Sequence, residues 1–141
     1  MRKVKGLDFI LLVDDDEATN FLNQRVIRKL DINAEVQVAT NGQEALDFLT
    51  NTGKFKDETV LPAAGLIFLD INMPGMNGWE FLEAYRDLPE EQTRQIKILM
   101  LTTSINPDEE RRAIDIPVVK GFIHKPLTPE KLEKAINVYI F

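Results

Sequence analysis

The sequence has no cysteine, which removes disulfides, thiolate metal sites and cysteine nucleophiles together. It has one histidine, so a single imidazole is all that is offered as ligand or base. Cationic residues are the minority, 17 against 23 acidic ones, for a formal net charge of −6. That balance argues against a protein whose main work is holding nucleic acid, because that work needs a cationic face. Long apolar runs are missing as well. Arg2, Lys3 and Lys5 precede the run Phe9-Ile10-Leu11-Leu12-Val13, which ends in aspartates. A secretory core needs about 7–15 apolar residues and a membrane span about 20. The expectation is a cytoplasmic protein without signal peptide or membrane partner.

What is present suits one globular domain. The 141 residues are 44% hydrophobic and 28% charged, a soluble composition rather than a disordered one, and a domain near this size buries roughly 70% of its unfolded surface. Three apolar runs, Phe9–Val13, Leu66–Leu69 and Ile98–Leu101, do not alternate with polar residues. Each therefore reads as a strand covered on both faces, as in a parallel sheet. Ala34–Ala39 and Gly121–His124 are two weaker strand candidates. Helical spacing fills the intervals at Thr19–Leu30 (stripe Leu22, Val26, Ile27, Leu30), Gln43–Leu49, Trp79–Leu88, Asp108–Ile114 and Glu130–Tyr139.

The helix starts are marked chemically. Asn41 with Glu44, and Asn77 with Glu80, pair a capping residue with Glu three positions on. Asn106-Pro107 and Thr128-Pro129 put an N-cap side chain before a first-turn proline. Five strand–helix alternations predict a doubly wound α/β domain with a five-stranded parallel sheet and five helices. There is no internal repeat. The one long connection, Asn51–Ala64, reads as a surface loop rather than a linker.

Ligands of an open parallel sheet sit beyond the carboxyl ends of its strands. After the first strand come Asp14, Asp15 and Asp16; after the third, Asp70; after the fourth, Thr102, Thr103 and Ser104; after the fifth, Lys125. Alone, each has an ordinary explanation as cap, turn or solvated charge. Four strand ends agreeing on one edge weaken that explanation jointly. Crowded carboxylates repel, so one loses its charge unless a cation intervenes. Oxygen-only ligands suit a hard divalent ion, Mg²⁺ above others, held by one or two carboxylates with phosphate and water. A divalent ion, an ammonium and a hydroxyl around a carboxylate nucleophile make a site for phosphoryl transfer.

The segments Leu11-Leu12-Val13-Asp14-Asp15-Asp16, Leu69-Asp70-Ile71-Asn72-Met73-Pro74-Gly75-Met76-Asn77-Gly78, Leu101-Thr102-Thr103 and His124-Lys125-Pro126 resemble the four signature blocks of response-regulator receiver domains, the phosphoacceptor modules of two-component signalling. The likeness runs from about residue 8 to 139. It implies a flavodoxin-like fold with strand order 2-1-3-4-5, and a signalling switch rather than an enzyme, with only weak self-phosphorylation and dephosphorylation. By the same likeness Asp70 is the phosphoacceptor, supplied by a histidine kinase or a histidine phosphotransfer protein. Mg²⁺ is held by Asp14, Asp15, an Asp70 oxygen and the Asn72 backbone carbonyl. Thr102 hydrogen-bonds the phosphoryl group, Lys125 pairs with it, and Phe122 is the aromatic switch. The Lys125–Pro126 bond is often cis in the family.

The resemblance also implies a population shift. Thr102 moves inward, Phe122 turns from exposed to buried, and the face of the fourth helix, fifth strand and fifth helix repacks for an unidentified downstream protein. Receivers often homodimerise through the fourth and fifth helices. Thr103 is bulkier than the family's common residue there, Phe122 lacks a tyrosine hydroxyl, and Asn72, Thr103 and Ser104 stand where phosphoryl access and lifetime are tuned. With Phe141 just past the fifth helix, residues 1–141 are expected to form a stand-alone receiver without output domain.

Some residues have plainer expectations. Asp16 is a loop or cap residue, His124 a packed strand residue, Trp79 core or partly exposed packing, and Arg111 and Arg112 a solvated face. The competing reading is a haloacid-dehalogenase-type phosphatase with Asp14 as nucleophile, for which Leu12-Val13-Asp14-Asp15-Asp16 fits a strand followed by Asp-x-Asp. That family wants Thr or Val where this sequence has Ala18, and only Glu130 and Glu133 follow Lys125 as its acidic pair.

Overall fold

The computed structural model describes residues 3–53 and 64–140. Most of the expected Asn51–Ala64 surface loop lies outside the described residues, and so do Arg2 and Phe141. In chain order the elements are β1 (Phe9–Val13), α1 (Glu17–Lys29), β2 (Glu35–Ala39), α2 (Gly42–Thr50), β3 (Gly65–Leu69), α3 (Gly78–Arg86), α4 (Glu90–Thr93), β4 (Ile96–Thr102), α5 (Pro107–Ile114), β5 (Val119–His124) and α6 (Pro129–Tyr139). The five strands form one sheet in the order β2-β1-β3-β4-β5, and every neighbouring pair is parallel. The predicted topology is therefore the observed one.

The non-alternating runs have a simple cause. Phe9, Leu11 and Val13 of β1 enter one core cluster, while Ile10 and Leu12 enter the other. In β3, Ile67 and Leu69 divide from Leu66 and Phe68 in the same way. Successive side chains point to opposite faces, and both faces are covered. Phe48, Phe81 and Ala113, from α2, α3 and α5, close the first cluster; Ile27 of α1 with Leu132 and Ile136 of α6 close the second.

Five helices were expected and six are described. The addition, α4, is a four-residue turn without a buried residue, so no apolar period announces it. The expected fourth and fifth helices are α5 and α6. The expected stripe of α1 is also corrected: Leu22 is exposed, and the buried residues are Asn20, Asn23 and Ile27. The helix turns two asparagines inward because they meet the polar end of the sheet rather than its apolar middle.

The caps form as the sequence indicates. Asn77 and Glu80 make a complete capping box. Asn41 accepts from the Glu44 amide, but the Glu44 carboxylate bonds the amide and hydroxyl of Thr40 instead of closing the box. Thr128 accepts from the Lys131 amide and Asn106 from the Asp108 amide.

Gly78 opens α3 where no other residue fits. A Cβ there would lie 2.5 Å from the Asp70 carbonyl oxygen and 3.0 Å from the Ile71 Cα, while the Gly78 amide donates to the Ile71 carbonyl at 2.9 Å. Both obstacles are backbone and cannot turn aside. Alanine usually favours a helix over glycine, yet Gly78→Ala is expected to cost about 2 kcal/mol through overpacking. A denaturant midpoint measured at constant m-value checks this. An unchanged or raised midpoint would mean that the loop carrying Asp70 yields freely.

Candidate functional site

The sheet ladder itself aims the chemistry. Parallel pairing continues one residue past three strand ends: the Asp14 amide donates to the Ala39 carbonyl at 3.0 Å, the Asp70 amide to the Val13 carbonyl at 2.9 Å, and the Lys125 amide to the Thr102 carbonyl at 2.9 Å. Asp14, Asp70 and Lys125 are thus fixed at the carboxyl edge by the hydrogen bonds that build the sheet. The Lys125–Pro126 peptide bond is cis.

These side chains converge. Asp14, Asp15 and Asp70 each offer a carboxylate oxygen within 4.8 Å of the others. Asp14 and Asp70 are buried and Asp15 is exposed. The Lys125 ammonium lies 2.5 Å from Asp14 Oδ2 and 3.7 Å from Asp70 Oδ1. Lys125 is therefore the cation that intervenes among the carboxylates, and it chiefly answers Asp14. Asp70 is left short of positive charge. Burial pushes its carboxyl up to about 6; the charges of Asp14 and Asp15 add to this, and Lys125 works against it.

The loop after β1 is held from below. Asp14 Oδ1 accepts the Asp16 amide at 2.9 Å, and the Asn20 side chain donates to the Asp14 carbonyl at 2.8 Å. Asp16 stands at the N-cap of α1 as expected, but its carboxylate takes the Thr19 hydroxyl at 2.5 Å. That bond holds the Asp16 carboxyl below the usual range. Asp16 therefore stands apart from the carboxylate cluster.

Thr102 ends β4 buried, and its hydroxyl oxygen accepts the Ser104 amide at 3.1 Å. Thr103 is exposed and Ser104 half-buried. Asn72 lies two residues past Asp70 in the exposed start of the loop to α3. Phe122 is half-buried in β5, edge-on to His124 with ring centroids 5.4 Å apart. His124 was expected to be packed and is exposed: it ends the edge strand, where no further strand covers it. Beside the site, a groove of about 550 Å³ runs along Leu22, Val26, Thr103, Lys125, Pro126 and Leu127.

Two contacts were beyond sequence reasoning. Arg112, expected in a solvated face, sits with its guanidinium carbon 4.1 Å from the centroid of the Trp79 ring, joining α5 to α3. Its neighbour Arg111 lies on the expected solvated face, where it pairs with Asp108. Ser104 also donates its hydroxyl to Glu109 at 2.9 Å.

Comparison with known proteins gives one consistent result. Residues 10–137 match the model of the response regulator receiver domain. The chain is 34% identical over 100 residues to the response regulator Rcp1 of Synechocystis sp., covering 71% of this chain and 65% of Rcp1. It is thus similar to less than two thirds of that relative's length. Its fold is similar to a two-component response regulator from Cytophaga hutchinsonii, with a TM-score of 0.79, 31% identity and 96% of each chain covered. It is also similar to a Mn(2+)-bound form of Rcp1, with a TM-score of 0.74, 27% identity and 94% of each chain covered. No helix among the described residues is long and apolar enough to cross a membrane.

Proposed function

Since the chain belongs to the response regulator receiver domain family of two-component signalling, we propose that it is a phosphoacceptor switch whose acceptor is Asp70, working as one receiver domain. The observation that carries this is the asymmetric charge balance: Lys125 lies 2.5 Å from Asp14, while Asp70, buried beside two more carboxylates, shares the same ammonium only at 3.7 Å. Such a site gains by receiving a divalent cation and a phosphoryl group together.

The residues fit Mg²⁺ by their donor set, three carboxylates within reach of one another and no sulfur or imidazole among them. Asp14, Asp15 and Asp70 would hold it, with the Asn72 carbonyl completing the protein ligands. Bound there, the ion would neutralise charge on the transferring phosphoryl oxygens. The chain's own groups do the rest. An Asp70 oxygen attacks phosphorus as the phosphorus–nitrogen bond of a phosphohistidine donor breaks, and an acyl phosphate results. Lys125 is close enough to turn from Asp14 to the new anion, and the Thr102 hydroxyl can donate its proton to it while its oxygen accepts the Ser104 amide.

The donor is proposed to be a histidine kinase or histidine phosphotransfer protein, seated on the groove beside Lys125. Leu22 of α1 lines that groove and stands 55% exposed, apolar area that a helical partner would cover. The proposed output is a rotation of Phe122 that repacks α5, β5 and α6 against an unidentified protein or a second copy.

Incubation with radiolabelled acetyl phosphate tests this. One label per chain is expected, blocked by EDTA and released by hydroxylamine as for an acyl phosphate. No label with Mg²⁺ present, or equal label with EDTA, would count against the proposal. Asp15→Ala removes an exposed ligand with no hydrogen bond to the core. It is expected to leave the fold intact and weaken Mg²⁺ binding about tenfold or more, read by calorimetry. An unaltered titration would take Asp15 out of the metal site.

A further inference from the structure

In the capping box of α3 the two partners bond directly: the Asn77 amide donates to the Glu80 carboxylate and the Glu80 amide to the Asn77 side chain. The start of α5 has the same components, Asn106 at the N-cap and Glu109 three residues on, but its box is opened. The Asn106 amide donates to the Ser104 hydroxyl oxygen at 3.2 Å, and that hydroxyl donates to the Glu109 carboxylate at 2.9 Å. Ser104 is inserted between cap and carboxylate. Its own amide is the one that bonds Thr102 Oγ1. Capping does not require this arrangement, because the Asn106 side chain already serves the Asp108 amide.

We infer that Ser104 and Glu109 form a relay that ties the first turn of α5 to the position of the Thr102 hydroxyl. The inference rests on the proposed phosphoacceptor reading and adds the residues that carry its signal outward. When Thr102 is drawn toward a phosphoryl group on Asp70, the Ser104 amide follows or lets go. Either way the serine hydroxyl shifts, and the opened box passes the shift to Glu109. Glu109 sits one helical turn before Arg112, which stacks on Trp79, so the moved turn also bears on the α3–α5 contact. An intact box would hold α5 indifferent to Thr102. Glu109 is thus a positioning residue that touches neither metal nor phosphoryl group.

The test compares amide hydrogen exchange of residues 105–114 with and without acetyl phosphate and Mg²⁺, each change divided by the phosphoryl mass incorporated in the same sample. In the unsubstituted protein, phosphorylation is expected to alter exchange in this segment. In Glu109→Ala the alteration per phosphoryl group is expected to fall about threefold or more, although the chain still takes up label. Glu109→Gln keeps an acceptor for the serine hydroxyl and is expected to retain most of the response. A cap that is merely weakened would raise exchange equally in both phosphorylation states, which this difference cancels. Ser104→Ala, scored by the same ratio, is expected to match Glu109→Ala. Full responses in Glu109→Ala and Ser104→Ala would overturn the relay, as would unsubstituted protein that is phosphorylated without any change in this segment. Failure of the unsubstituted protein to take up phosphoryl mass would instead overturn the underlying function.

Discussion

Lys125→Met is expected to lower the metal-free stability of the protein by about 2 to 3 kcal/mol and to slow phosphoryl uptake about 10²-fold or more. Methionine keeps the length and packing of the lysine stem and removes the ammonium. The Lys125 and Asp14 side chains are 14% and 6% exposed and meet at 2.5 Å, so the change leaves a buried carboxylate without its cation. That is costly even where the intact pair contributes little net stability, because Asp14 lost its water on burial. Two conditions should soften the loss. Acid lets one of the carboxylates take a proton, and Mg²⁺ supplies another positive charge. Chemical denaturation at neutral and acid pH, with and without Mg²⁺, checks the pattern. A penalty independent of both would mean that the stem rather than the charge matters.

Asp70→Asn is expected to have the opposite effect on stability while abolishing phosphoryl uptake. The Asp70 carboxyl is raised from 3.8 to about 6 by burial, so between those values the folded protein binds a proton that the unfolded chain has already lost. By linkage, stability falls as pH rises through this window, and the loss is complete above about 6. Allowing for solvent screening, the cost of the charged form at neutral pH is about 1 to 2 kcal/mol. Asparagine keeps the shape and carries no charge. The variant should exceed the unsubstituted protein in metal-free stability at neutral pH, and the advantage should vanish below about pH 4. An advantage that persists in acid, or a variant less stable at neutral pH, would show that Asp70 is not electrostatically strained. The strain fits a site that waits for a cation and a phosphoryl group.

The sheet and the placement of the polar side chains at its edge were legible because they share one cause. Runs such as Phe9–Val13 are apolar at every position because both faces are covered, and the ladder bonds beyond those runs place Asp14, Asp70 and Lys125 at one edge. The caps at Asn77, Asn106 and Thr128 were readable because a side chain and a nearby amide suffice to make them.

What escaped reading depends on neighbours remote in sequence. Leu22 has the spacing of a core residue, yet the face of α1 that turns inward carries Asn20 and Asn23, because it packs at the polar end of the sheet. His124 looked packed in an apolar strand, but β5 is an edge strand and ends in the open. The short α4 has no buried face to leave a periodic trace. Arg112 on Trp79 needs two helices side by side, and nothing local to either residue foretells the pair.

The measurement that bears most directly on the central claim is peptide mapping of the chain after reaction with acetyl phosphate and Mg²⁺. The phosphoryl group is expected on Asp70, in a single modified peptide that is missing from Asp70→Asn. A phosphoryl group on Asp14 would contradict the account and return the site to a phosphatase that uses its first strand-end aspartate as nucleophile.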